Sequence, residues 1–123
     1  MQDASDTLTY KGKNYLIKFS FNVLALIQAK YKTLEAWINE AYGKESGEPS
    51  ADALRYCIWA MVNEGIDIEN DEKGTQEPHI SEAKAGWILS EYVQNGGIEK
   101  LVGKIDTLLA QSVANDSEES KNE

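Results

Sequence analysis

The spacing of apolar residues changes at Ser20, and that change constrains the fold more than any single motif does. Before it, Thr7-Leu8-Thr9-Tyr10 and Tyr15-Leu16-Ile17-Lys18-Phe19 flank Lys11-Gly12-Lys13-Asn14. β-Branched and aromatic residues suit a pleated surface with one buried face, and Gly12 accepts the positive φ of a tight reversal, so this segment is expected to be a hairpin. After Ser20, Val23, Leu24, Ile27 and Tyr31 recur at three- and four-residue intervals, the period of a helix. Two strands alone are marginal in water, so the hairpin has to lean on helices.

Further helices follow from caps and stripes. Ser20 or Asn22 caps the first. Thr33 caps a second that carries Leu34, Trp37, Ile38 and Ala41 and stops at Gly43. Ser50 caps a third, apolar almost all round from Leu54 to Val62 and expected to end near Gly65, with Ile66 to Pro78 as a polar, acidic connection. Ser81 caps a fourth, bearing Ala85, Ile88, Leu89, Tyr92 and Val93 and closed by Gly96-Gly97. The fifth shows the most regular stripe: Ile98, Leu101, Val102, Ile105, Leu108, Leu109 and Val113. The expected architecture is mainly α: an N-terminal β-hairpin followed by a compact bundle of about five helices. Residues 7–114 form one domain, between a flexible N-terminus at 1–6 and a disordered acidic tail at 115–123.

At 41% hydrophobic and 27% charged residues the chain has the composition of a globular protein. Its net charge of -9 opposes binding to a phosphate backbone, because affinity for nucleic acid depends on Lys and Arg releasing counterions. The longest apolar run, Cys57 to Val62, falls far short of the roughly 20 residues that cross a bilayer, so no membrane association is expected. One cysteine and no signal-peptide pattern fit a reducing cytoplasm.

Catalytic chemistry finds little support. His79 is the lone histidine, placed in a loop after Pro78, whereas Cys57 lies in the most apolar helix, where a thiol usually acts as a small hydrophobe. Zinc would need clustered Cys and His. Asp67, Glu69 and Asp71 resemble the start of a calcium loop, but Glu72 and Pro78 stand where the required Gly and bidentate Glu belong. Gly96-Gly97 suits a helix end better than a phosphate cradle. No enzyme, metal or cofactor is expected, and interaction surface remains. The stripe Ile98, Leu101, Val102, Ile105, Leu108 and Leu109 either packs on its own domain, the usual meaning of such a pattern, or meets a partner helix.

The hairpin Leu8-Thr9-Tyr10-Lys11-Gly12-Lys13-Asn14-Tyr15, running through Ile17-Lys18-Phe19-Ser20-Phe21-Asn22-Val23-Leu24 straight into a helix, resembles the tail assembly chaperones of long-tailed phages and their gene transfer agent relatives. Thr33-Leu34-Glu35-Ala36-Trp37-Ile38, Ala53 to Met61 and Ile80-Ser81-Glu82-Ala83 occupy the places of that family's later helices. One departure is Lys32 after the first helix, where many relatives place a Gly. The resemblance implies a chaperone in the host cytoplasm that coats the tape measure protein, keeps it soluble and recruits tail tube subunits; self-association is compatible with it. The rival reading is an acidic inhibitor or DNA mimic that binds a basic protein.

Overall fold

Lys11 and Gly12 both take positive φ, 50° and 78°, the sign pattern of a type I′ turn, and the chain reverses on these two residues. The computed structural model describes the backbone of residues 4–121 and the side chains of residues 5–111. In it β1 (Ala4–Tyr10) pairs antiparallel with β2 (Lys13–Phe19), Leu8 opposite Tyr15. Lys13 and Asn14, expected in the turn, belong to β2. The segment expected to be flexible at 1–6 is partly strand: Ala4, Ser5 and Asp6 pair with Phe19, Lys18 and Ile17, since extending a ladder satisfies backbone groups on both sides. Met1 to Asp3 lie outside the described residues.

Among the described residues four helices follow: α1 (Phe21–Tyr31), α2 (Leu34–Ala41), α3 (Ala51–Lys73) and α4 (Glu82–Lys121). Each begins at the hydroxyl expected of it. Ser20, Thr33, Ser50 and Ser81 accept from the backbone N–H three residues on, at 3.3, 3.0, 3.2 and 3.1 Å. Such caps stabilise a helix by about 1 kcal/mol each.

Two ends differ from expectation. α3 does not stop at Gly65 but runs to Lys73 and closes on Gly74 in the left-handed conformation. Most of the expected acidic connection is therefore helix, and Asp67, Glu69 and Asp71 sit on helical turns rather than in an ion-binding loop. Asn70 organises the exit: its carboxamide accepts from Thr75 Oγ1 at 2.8 Å and from the Glu77 N–H at 3.0 Å. Among the described residues the helices number four when α4 is counted as one, and the expected fourth and fifth helices are its two parts. Gly97 breaks α4 with φ 79° and ψ 161°, a conformation that in practice only glycine adopts, leaving arms 82–96 and 98–121. The second arm continues through Lys121, into the stretch expected to be a disordered tail, because adding a residue to an existing helix costs far less than starting one. Asn122 and Glu123 lie outside the described residues.

The core forms where the hairpin's inner face, Leu8, Tyr15, Ile17 and Phe19, meets the helices. Trp37 of α2 is fully buried, and its indole N–H donates to the Ala53 carbonyl at 2.9 Å. Ile58 and Met61 of α3, Ile88 of the first α4 arm and Ile105 of the second complete it. Burying side chains of this size contributes about 1.5–3 kcal/mol each, which is what holds a two-stranded sheet in place.

Candidate functional site

The apolar stripe of the second α4 arm turns inward. Leu101, Ile105, Leu108 and Leu109 are buried in the domain's own core, Val102 is half-buried, and Ile98 is 38% exposed. The stripe thus serves mainly to cover the hairpin and α3, leaving Ile98 and Val102 as its more accessible members. Polar contacts fasten the arm: Lys104 Nζ meets Asp6 Oδ2 at 2.8 Å and the Thr7 carbonyl at 3.2 Å, while the Tyr42 hydroxyl donates to Asp106 at 2.6 Å. Burial raises the Asp6 pKa, but the hydrogen bonds from Lys104 and Thr7 outweigh it and hold the carboxyl below its ordinary value. Burial and the Asp106 bond push Tyr42 upward, so its hydroxyl stays a donor.

Ile98 stands at the edge of a groove between α3 and α4 of about 680 Å³. Leu54, Leu89, Val93 and Leu101 give it an apolar floor, and Gly86 leaves room for the stem of Arg55 at 3.3 Å from where a Cβ would be. Asp52 lies on its rim, held below its ordinary pKa by the Lys30 hydrogen bond, against the effect of burial and with help from Arg55 at 3.0 Å.

A second cleft of about 490 Å³ opens between α1 and α3, lined by Val23, Ala25, Leu26, Trp59 and Ala60, with Asn22, Asn63, Glu64, Asp67 and His79 around them. Ser20 donates its hydroxyl to Glu64, and Asn22 Nδ2 donates to the same carboxylate at 3.1 Å. His79 Nε2 lies 2.7 Å from Asp67 Oδ1. Sequence reasoning did not find this cleft; the available signal was that Phe21, Ala25 and Leu26 make α1 apolar beyond its buried stripe.

The two reactive residue types stay apart in kind. Cys57 is fully buried, and burial pushes its thiol up to about 12, far from ionising at neutral pH. His79 is an exposed partner of Asp67. Among the described residues no group of three or more His, Cys, Asp and Glu could hold a metal ion, and no helix is long and apolar enough to cross a membrane. Comparison with family models, curated proteins and solved structures finds no match for this chain.

Proposed function

We propose that this chain is a non-enzymatic binding protein that lays an amphipathic helix of its partner along the groove between α3 and α4. The observation that carries this reading is the groove itself: an apolar floor of Leu54, Leu89, Val93 and Leu101, with Ile98 exposed at its edge and charges from Asp52 and Arg55 on the rim. That arrangement matches the helix-in-groove mode of recognition. The resemblance in hairpin and helix order then points to the tape measure protein of a phage tail as the partner, with recruitment of tail tube subunits as the wider task in the host cytoplasm. An open groove of this kind gives modest affinity per copy, and many copies along one long helix multiply it. The net charge of -9 would keep such a coated helix dispersed.

The test is co-expression with the longest helical reading frame beside this gene. The reading expects that product to stay in the supernatant and co-elute with this chain, and to pellet when Ile98→Asp replaces the wild type, the variant keeping its circular dichroism spectrum. Solubility that is indifferent to the chain, or the lack of any long helical reading frame nearby, defeats it.

A further inference from the structure

We infer that the cleft between α1 and α3 is a second docking surface, built for a protein segment that presents a Lys or Arg side chain among apolar residues. The surface shares no residue with the α3–α4 groove, so the inference stands independently of the function proposed above.

Its apolar half is an uncovered helix face. Phe21 is 64% exposed and Leu26 39% exposed on α1, and Ala25, one turn on from Phe21, lines the cleft beside Leu26. A helix with apolar residues all round is ordinarily covered on several sides. On α1, Val23 and Ile27 are buried and Leu24 and Tyr31 half-buried against the core, whereas Phe21, Ala25 and Leu26 stay exposed.

The polar half supplies charge complementarity. Glu64 is fixed by Ser20 and Asn22, and Asp67 by His79, so neither carboxylate swings freely. Each keeps lone pairs for a further donor, and both line the same cleft, so its polar side carries negative charge. Trp59 lines the same cleft, its ring held by an indole N–H bond to the Ile80 carbonyl at 3.1 Å. The adjoining ring demonstrates the preference within the chain: Lys30 Nζ sits 4.3 Å from the centre of Tyr56, whose ring lies 5.5 Å from that of Trp59. A cationic head over an aromatic ring with a carboxylate nearby, and an apolar stem along Leu26, is what a basic amphipathic segment offers.

The experiment is a titration of isotope-labelled full-length protein, followed by nuclear magnetic resonance, with a synthetic amphipathic Lys/Leu helix and its Glu/Leu counterpart. The Lys/Leu peptide is expected to shift the amides of Ala25, Leu26, Glu64 and Asp67 and the Trp59 indole, while the Glu/Leu peptide leaves them in place. Leu26→Ser and Asp67→Asn, both surface changes, should each weaken binding by about threefold to tenfold. The charge-matched control Glu45→Gln should leave affinity unchanged. Equal binding of the two peptides, equal loss in the control, or shifts confined to Val93 and Ile98 would overturn the assignment. So would self-association of the free protein that Leu26→Ser abolishes, which would give this face to a second copy of the chain.

Discussion

Gly65 of α3 presses its Cα against the backbone of Leu16 in β2, so closely that a Cβ at residue 65 would overlap the Leu16 carbonyl oxygen. The contact seats the hairpin on α3, which carries many of the buried core residues, and backbone on both sides leaves little room for adjustment. Gly65→Ala adds a methyl group of good helix propensity, yet overpacking against main chain should outweigh that gain. A loss of about 2 kcal/mol or more in urea unfolding is expected. A variant as stable as the wild type would mean that the strand moves freely over α3.

Asn63 is buried and spans the gap from α3 to the start of α4. Its Oδ1 accepts from the Ile80 N–H at 2.8 Å, and its Nδ2 donates to the Ile80 carbonyl at 3.3 Å. Asn63→Ala strands the Ile80 N–H, while the Trp59 indole still donates to the Ile80 carbonyl. The expected cost is about 1–3 kcal/mol, most of it from the buried N–H. Hydrogen exchange at Ile80 should accelerate in the variant; unchanged protection would assign that amide another acceptor.

What the sequence made legible was what neighbours in the chain decide. Ser20, Thr33, Ser50 and Ser81 each cap a helix within three residues, and the Lys11-Gly12 reversal is equally local. Gly65 misled because its role depends on Leu16, far away in the chain: a glycine kept for close approach looks the same as one that ends a helix. The acidic run after it reads as a loop, but Lys73 pairs with Glu69 at 2.8 Å along the helix and Gly74 closes it. The stripe from Ile98 was legible as a stripe, whereas its burial depended on how the chain turns at Gly97. The cleft around Trp59 could not be read, since α1, α3 and His79 meet only in the folded chain.

The pair between Lys104 and Asp6 ties the second arm of α4 to β1 and should make stability depend on acid. Asp6 has a folded pKa below its ordinary 3.8, so its contribution is fully present above that value and is lost as pH falls through the folded value. Its side chain is 43% exposed, which keeps the effect below about 1 kcal/mol. Asp6→Asn should therefore be slightly less stable than wild type at pH 7 and converge with it as pH falls below 3.8 through the folded value. Parallel stability curves down to that pH would show that the pair contributes nothing.

Lys32 ends α1 with φ 77° and ψ -45°, close to the strained γ-turn geometry that few side chains adopt. Its N–H still reaches the Gln28 carbonyl at 2.8 Å, so the conformation serves to close the helix before Thr33 opens the next. A glycine would take the same shape without the clash between Cβ and its own backbone, although it would lose more freedom on folding. The steric relief is the larger of the two at a positive φ, so Lys32→Gly should stabilise the fold by about 1 kcal/mol. The exposed Lys32 side chain makes the comparison clean, because its removal uncovers no core. Thermal unfolding followed by circular dichroism reads the effect directly. A lower midpoint would mean that the side chain holds the turn in a way that its backbone geometry does not reveal.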